Sequence, residues 1–426
     1  MYNKADRNLK AIVEHLHPMR RDLVSDGYDE ALRWLGERLP FKVHEFASGD
    51  LCWDWAVPQK REVGEAWIKD SSGNTLFDLS DYPLMVPSYG QPARGKVTKK
   101  ELLDHVYTLP DLPDEVPYKF FPYVKRWGFC LPHSELHKLK GEEFEVLIEA
   151  TFEDGFMKVG EFETKGESDD IIVIAAHLDH PFQSNDDLSG VAALVDVAEQ
   201  LMNYDRPLHY TYRFLLTPES VGSIAYLSRF EDDIPKMRGG IFLEKVGNEN
   251  AMALQYSKFP DSAFDRAAVY AMDQTFGTWK GAEYGTLLGN DEKVFNSTFV
   301  DVPMVSITRK PYNEYHSSAD NPSIVKEEML REAADITFQM LIVNDRNQMV
   351  KSKIRGPASL ARNGIKINGQ FSTWRLFSYL DGSLDHLALA TLMKLDIKTI
   401  WGFLDQLEEK NLVEYSPLNC HKQATK

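Results

Sequence analysis

Cysteine is scarce in this chain of 426 residues, and the three that occur are far apart: Cys52, Cys130 and Cys420. Such spacing supports neither a disulfide framework nor a zinc knuckle made of cysteines. The N-terminal sequence also lacks the apolar core and the small-residue cleavage site of a signal peptide. Together these features predict a cytoplasmic protein.

Long apolar runs and an excess of basic charge are also missing. No segment approaches the roughly 20 apolar residues that a membrane span needs, so we expect no membrane partner. The formal net charge is -17, which argues against a protein that binds nucleic acid or anionic membranes. The length exceeds that of one ordinary core, so two or three domains are expected.

The segment of residues 171–190, IIVIAAHLDHPFQSNDDLSG, combines a short apolar run with a dense polar cluster. The run has the length and composition of a strand that is buried on both faces of an α/β sheet. The cluster that follows contains His177, Asp179, His180, Asp186 and Asp187. Ligands bind beyond the carboxyl ends of such strands, and imidazole with carboxylate suits zinc or a similar ion. A capped strand end with solvated acids is the simpler alternative, but this density of His and Asp favours a metal site.

Four further acids and histidines follow later predicted strands or lie in the loops after them: Glu219, Glu244, Asp291 and His316. A zinc site needs widely separated ligands that the sheet brings together, and an acid that takes a proton from water. We therefore expect this group to converge on the first cluster. For His180 and Asp291, a purely local structural role is an equal alternative.

Strands that alternate with helices predict an α/β domain with a mixed sheet, formed by residues 1–45 and 98–350. Residues 46–97 contain short alternating segments split by Gly, Pro, Asn and Asp, which predicts a small β-rich insertion. Two strands that meet at residues 153–155, Glu-Asp-Gly, are expected to form a hairpin.

Residues 360–426 predict a further module after a linker. Three short helical patterns and a strand resemble a winged helix, with residues 396–410 in the position of the recognition helix. Residues 361–426 hold eight Lys and Arg against seven Asp and Glu, whereas DNA-reading modules are usually far more basic. We therefore expect contact with a protein, or homo-oligomerisation through this module, in preference to nucleic-acid binding.

Four ordered sequence blocks resemble the co-catalytic zinc aminopeptidases, the family that includes bacterial leucyl-type aminopeptidases. The string AHLD…NDDLSG is similar to H-x-D…D-D-x-S-G, and Glu219-Ser220-Val221-Gly222 to E-E-x-G. Leu243-Glu244-Lys245-Val246-Gly247 is similar to L-D-x-x-G, and Tyr315-His316-Ser317 to Y-H-[ST]. The resemblance covers roughly residues 160–345 and implies a zinc-exopeptidase-like core. The β-rich insertion and the winged helix resemble one branch, whose aminopeptidase-like proteins are described beside polysaccharide biosynthesis.

The resemblance also implies roles for individual residues. His177 would bind one metal ion while Asp179 orients its ring. Asp186 would bridge two ions, Glu244 would stand where the family has an Asp ligand, and His316 would bind the second ion. Glu219 falls on the general base. Tyr315 or Arg309 could stabilise the oxyanion.

Three departures from the family pattern bear on the metal content. Ser220 stands where the family has its second Glu, a metal ligand, and a shifted alignment would make Glu219 that ligand and leave no base. Glu244 is longer than the usual Asp, and His180 has no counterpart, so it could be a replacement ligand. We expect a zinc-dependent aminopeptidase acting on a peptide or amide substrate with one or two zinc ions per chain. The alternatives are a single-metal or inactive binding or regulatory protein, and an amide hydrolase linked to polysaccharide biosynthesis.

Overall fold

The computed structural model describes residues 7–367, 370–416 and 418. Cys420 lies outside the described residues, and Cys52 and Cys130 are buried free thiols. The chain divides into two compact units, Met1–Lys258 with Thr278–Thr337 and Phe259–Gly277 with Phe338–Lys426. In the described part of the chain, no helix has the length and apolarity to cross a membrane.

The α-helices of the described residues are α1 (Lys10–Leu16), α2 (Asp26–Gly36), α3 (Lys99–Asp104), α4 (Leu188–Met202), α5 (Val221–Arg229), α6 (Ala263–Thr275), α7 (Glu292–Phe295), α8 (Glu327–Asp345), α9 (Leu360–Asn363), α10 (Thr373–Phe377), α11 (His386–Met393) and α12 (Ile397–Glu409). Short 3-10 helices span His133–Lys138 and Glu231–Lys236.

The strands are β1 (Lys42–Ala47), β2 (Leu51–Cys52), β3 (Trp55–Ala56), β4 (Lys60–Asp70), β5 (Thr75–Asp78), β6 (Ala93–Thr98), β7 (Val106–Tyr107), β8 (Phe129–Cys130), β9 (Glu143–Glu153), β10 (Phe156–Thr164), β11 (Ile171–His177), β12 (Thr211–Thr217), β13 (Met237–Leu243), β14 (Ala251–Gln255), β15 (Lys280–Ala282), β16 (Met304–Lys310), β17 (Met349–Ser352), β18 (Asp381–Asp385) and β19 (Val413–Ser416).

The first unit contains an eight-stranded mixed sheet in the order β1-β10-β12-β11-β13-β16-β14-β15. Its four central strands, β12, β11, β13 and β16, are parallel, and all seven residues of β11 and of β12 are buried. Strands rich in Ile, Val, Leu and Phe form the middle of such a sheet because both faces are covered. This confirms the predicted mixed α/β architecture. It also places the carboxyl ends of β11, β12, β13 and β16 at one edge.

A second, four-stranded antiparallel sheet has the order β5-β4-β9-β6. The predicted hairpin at residues 153–155 is wrong, because β9 pairs with β4 and β6 whereas β10 pairs with β1 and β12. A turn signal marks a break between strands, but side-chain burial selects the partners. Phe144 and Ile148 of β9 pack in the core of the small sheet, whereas Met157 of β10 belongs to the core of the large one. The small sheet therefore uses a strand beyond the predicted insertion of residues 46–97.

The second unit contains α6, α9 to α12, the C-terminal part of α8 and a three-stranded antiparallel sheet, β18-β17-β19. Its apolar core includes Val350, Leu389, Ile400, Phe403 and Leu404. The unit takes in residues 259–277 and 338–359, which lie before the predicted start at residue 360. The winged-helix assignment stays a prediction.

Candidate metal centre

Histidines and acids from four parallel strands meet at the carboxyl edge of the large sheet. His177 is the last residue of β11, Glu244 follows β13 directly, and Glu219 lies two residues beyond β12. His316 comes from the loop after β16. Parallel strands present their carboxyl ends to the same side, so the sheet topology assembles groups that are far apart in sequence.

The ring of His177 lies between two buried carboxylates. Its Nδ1 is 3.2 Å from Oδ1 of Asp179, and its Nε2 is 3.2 Å from Oδ1 of Asp186. Burial alone would lower the pKa of His177, but the hydrogen bonds to Asp179 and Asp186 raise it well above its ordinary value. The structure thus brings together three of the predicted site residues.

His180 completes the same cluster and has an unusual backbone angle, with φ of 73°. Its Nε2 lies 3.1 Å from Oε2 of Glu219, while its Nδ1 lies 3.7 Å from Oδ2 of Asp186. Burial opposes a charge on this ring, but the neighbouring carboxylates of Asp179, Asp186 and Glu219 raise the pKa of His180 to about 10. Nδ1 of His180 has no hydrogen-bond partner among the described residues.

His316 approaches the oxygen of Asp186 that does not contact His177. Its Nε2 lies 3.1 Å from Oδ2 of Asp186, without the geometry of a hydrogen bond. Burial lowers the pKa of His316 despite the Asp186 charge. The ring of Tyr315 stacks on this imidazole, with centroids 3.8 Å apart and an interplanar angle of 17°.

Three buried ligand atoms around Asp186 are left without hydrogen-bond partners in the described part of the chain: His180 Nδ1, Asp186 Oδ2 and His316 Nε2. Unpaired buried polar atoms are rare because each costs the free energy of its lost hydration. Imidazole nitrogen and carboxylate oxygen are ordinary zinc ligands. His177, His180 and Asp186 also offer ligand atoms that all lie within 4.8 Å of one another. The residues present therefore fit a divalent metal ion at this position.

Buried groups around the cluster hold its loops in place. Asp320 accepts hydrogen bonds from the backbone N–H groups of Asn185, at 2.7 Å, and Asp186, at 3.0 Å. The buried guanidinium of Arg21 donates to the carbonyl oxygens of Leu178, at 2.9 Å, and His180, at 2.7 Å. Neither residue could be predicted from sequence, since an isolated Arg or Asp far from the motif carries no signal.

Glu219 is the carboxylate of the cluster that reaches solvent, with 24% of its side chain exposed against 1% for Asp179, Asp186 and Glu244. Its backbone N–H donates to Oδ1 of Asp179 at 2.8 Å. Burial would raise the pKa of Glu219, but the hydrogen bond and charge of His180 lower it to about 2. The carboxylate is therefore ionised at neutral pH.

Asp291 supports the turn that carries Glu219 and does not join the cluster. Its Oδ2 accepts a hydrogen bond from the backbone N–H of Ser220 at 3.0 Å, and its Oδ1 accepts one from the hydroxyl of Thr217 at 3.3 Å. Ser220 has φ of 60°, a strained value that such contacts offset. Burial raises the pKa of Asp291 to about 6.

Asp187, the second Asp of the DDLSG string, has a structural role. Its Oδ1 accepts hydrogen bonds from the backbone N–H groups of Gly190, at the start of α4, and Lys245, both at 3.0 Å. Such a cap satisfies an N–H group that the first turn of a helix leaves unpaired. Asp187 thereby ties α4 to the end of β13.

Glu244 is occupied by two polar neighbours. Its Oε1 accepts a hydrogen bond from Nδ2 of Asn290 at 2.8 Å and also contacts the ammonium of Lys245. Its Oε2 has no hydrogen-bond partner among the described residues. Lys245 follows Glu244 directly in the sequence, but the L-D-x-x-G pattern specifies only the acid and leaves the position of Lys245 open.

The two residues considered for an oxyanion differ in their surroundings. Tyr315 is 47% exposed and lies beside His316. The buried guanidinium of Arg309 instead donates to the carbonyl oxygens of Val246, at 2.9 Å, and Asn250, at 2.8 Å, and pairs with Glu332. Its contacts thus hold the chain around β13 and α8 and do not support a role in the cluster.

Comparisons with known proteins agree with this fold. A Clostridium acetobutylicum protein, named for polysaccharide biosynthesis and for an aminopeptidase-like domain, is 29% identical over 339 residues, which is 79% of this chain and 77% of that protein. The crystal structure of a Clostridium acetobutylicum protein described as a peptidase has a TM-score of 0.86 at 26% identity and covers 96% of both chains.

A zinc aminopeptidase from Bacillus subtilis is more distant, with a TM-score of 0.60 and 15% identity over 79% of this chain and 95% of that one. At this identity the likeness concerns the fold alone. Residues 10–347, most of the chain, match the family model described as a domain of unknown function, DUF4910. The chain therefore belongs to the DUF4910 family, and its large mixed-sheet core has the fold of the zinc aminopeptidases.

Proposed function

We propose that this protein is a zinc-dependent hydrolase that removes N-terminal residues from peptides. The observation that carries the proposal is the convergence of His180 Nδ1, Asp186 Oδ2 and His316 Nε2, three buried ligand atoms without hydrogen-bond partners. They lie beside Glu219, a carboxylate that reaches solvent. The sequence resemblance to zinc aminopeptidases and the similar fold of the Bacillus subtilis zinc aminopeptidase support the same chemistry.

His180, Asp186 and His316 would hold the zinc ion, with His177 on the other side of Asp186. Zinc bound there supplies Lewis acidity, which polarises a carbonyl and makes water more acidic. When Nδ1 of His180 gives up its proton to bind zinc, the remaining ring proton would lie on Nε2, where Glu219 at 3.1 Å can accept it. Carboxylate groups commonly orient metal-binding histidines in this way.

Glu219 is the group we assign as general base. Its carboxylate borders the ligand atoms and reaches solvent, so it can approach the proton of an attacking water. The hydrogen bond between its backbone N–H and Asp179 fixes its position relative to His177. The phenol of Tyr315, exposed beside His316, is our candidate donor to the developing oxyanion.

The test combines elemental analysis with a panel of aminoacyl arylamides and short peptides. We expect purified protein to contain zinc and to release N-terminal residues, and removal of the zinc by a chelator to abolish release until zinc is added back. Hydrolysis that persists unchanged after verified zinc removal would contradict the proposal. A protein that binds zinc but cleaves no amide on the panel would favour a binding or regulatory role.

A second candidate reaction is hydrolysis of an amide on an amino-sugar precursor. It rests on the name of the Clostridium acetobutylicum relative, which refers to polysaccharide biosynthesis. The same panel distinguishes the two reactions if N-acylated amino sugars are included. Release of the acyl group from the sugars, with none from the peptides, would support the second reaction and contradict the first.

We also retain a winged helix within residues 360–426 as part of the proposal, with a role in contact between protein chains. The near balance of basic and acidic residues in this segment supports protein contact over DNA binding.

A further inference from the structure

Lys245 is a buried cation inside the acidic cluster. Its side chain is 6% exposed, and its ammonium contacts Oε1 of Glu244 and lies 4.0 Å from Oδ1 of Asp186. The backbone N–H of Lys245 donates to Asp187 at 3.0 Å, which fixes the chain where the side chain starts. A lysine is seldom buried in this way unless carboxylates pair with it.

The two oxygens of Asp186 face different surroundings. Oδ1 faces Nε2 of His177 and the ammonium of Lys245, at 3.2 and 4.0 Å. Oδ2 faces Nδ1 of His180 and Nε2 of His316, and all three of these atoms are without hydrogen-bond partners among the described residues. One oxygen of the carboxylate therefore faces a lysine ammonium, which cannot bind a metal ion, whereas the other faces two imidazole nitrogens, which can.

We propose that the ammonium of Lys245 is a built-in cation that replaces a second divalent ion, so that each chain binds a single zinc. The inference rests on the proposed function, because it concerns the metal content of the same site. It predicts zinc on the Oδ2 side of Asp186 and an ammonium on the Oδ1 side, next to Glu244. A divalent ion placed beside Glu244 would meet the like charge of Lys245 at short range in a poorly solvated interior, which is strongly unfavourable.

The competing arrangement has two zinc ions, with the free Oε2 of Glu244 as a ligand of the second. It would require the side chain of Lys245 to leave its contact with Glu244. Metal content separates the two arrangements directly, without any measurement of activity.

The experiment counts bound zinc in the full-length protein by elemental analysis after equilibration with excess zinc and removal of the free ion. We expect one zinc per chain in the wild type and two in Lys245→Met, which keeps the aliphatic stem but lacks the charge. Lys245→Gly provides a second variant, since Lys245 has φ of 56°, a value that glycine adopts freely. The melting temperature of each variant verifies that it is folded.

Lys310→Met is the matched control. Lys310 is half-buried at the end of β16, and its charge interacts electrostatically with that of Lys245. Its replacement therefore removes a positive charge near the cluster while Lys245 keeps its contacts. This control should retain one zinc. Two ions in the wild type, or one ion in both folded Lys245 variants, would overturn the inference and leave the proposed hydrolase function intact. No zinc in any of the proteins would overturn the metal site itself, and the proposed function with it.

Discussion

The carboxylate of Asp320 accepts a hydrogen bond from the backbone N–H of Asp186 at 3.0 Å. This bond positions Asp186, whose own carboxylate is central to the proposed metal site. The carboxylate of Asp320 also accepts a bond from Asn185 at 2.7 Å. Asp320 lies four residues after His316, so one loop supplies both a proposed ligand and the support of another. The geometry of Asp186 therefore depends on a residue outside the proposed set of metal ligands.

We expect Asp320→Ala to weaken zinc binding by about 10–100-fold, the usual effect of losing a group that orients a metal ligand. The affinity can be measured by competition with a chromophoric chelator. Asn313→Ala, an exposed position in the same loop, is the control and should bind zinc as the wild type does. Equal affinity of the Asp320 variant and the wild type would show that Asp186 is positioned without Asp320.

Glu219→Gln removes the proposed general base and keeps the size of the side chain. Zinc content should not change, whereas kcat should fall by about 10²–10⁴-fold, the usual contribution of a positioned base. Glu249→Gln, an exposed acid outside the cluster, is the matched control. Loss of zinc from the Glu219 variant would identify Glu219 as a ligand, in line with the shifted alignment of its motif, and would contradict its role as base.

His180→Ala tests whether this histidine replaces the ligand that Ser220 cannot supply. We expect zinc affinity to fall by more than the roughly 10–100-fold that changes outside the ligand shell cause. The control is His15→Ala, because His15 is an exposed histidine that stacks on Trp34 and belongs to none of the motifs of the cluster. Retention of zinc with full affinity by the His180 variant would contradict a ligand role for His180.

Arg21 should contribute to stability because its buried guanidinium satisfies several backbone carbonyl groups. Arg21→Met leaves those oxygens unpaired and should lower the free energy of unfolding by about 3 kcal/mol or more. Urea unfolding measures the change. The exposed Arg33 serves as a control, and Arg33→Met should stay within about 0.5 kcal/mol of the wild type. A similarly small change for Arg21→Met would rule out this role.

Glu161, which lies outside the candidate metal centre, should make the stability of the protein depend on pH. Burial would raise its pKa, but hydrogen bonds from His44, at 3.0 Å, and Tyr226 lower the pKa of Glu161 to about 2. A depressed pKa means that the stabilisation is complete above the unfolded value near 4.5 and is lost as the pH falls towards 2. In Glu161→Gln, the free energy of unfolding should depend less on pH over that interval. An unchanged slope would contradict the assignment.

The large sheet and the location of the site could be predicted from sequence because both depend on local patterns. The apolar run of β11 is buried along its whole length, and the polar residues after it lie at the sheet edge, as the pattern indicates. The pairing of strands could not be predicted in the same way. The Glu-Asp-Gly signal at residues 153–155 marks the end of a strand correctly, but the partners of β9 and β10 depend on distant side chains.

The parts of the site that the sequence did not indicate are residues that act through contacts with distant parts of the chain. Arg21 and Asp320 bond to the loop of residues 178–186 across more than 130 positions, and neither belongs to a motif. For Arg309, the resemblance implied one of two candidates for stabilising the oxyanion. In the structure its guanidinium binds the carbonyl oxygens of Val246 and Asn250 and the carboxylate of Glu332, contacts that no motif indicates.

The long separation between Asp186 and Asp320 has a consequence for the order of events during synthesis. A chain emerging from the ribosome presents His177, His180 and Asp186 well before His316 and Asp320 follow. Until the last two emerge, the Asp186 loop lacks its support and the cluster lacks a histidine. If the proposed site binds zinc, an ion captured earlier would be held by an unfinished loop, and stable loading would then wait until nearly the whole first unit has been made.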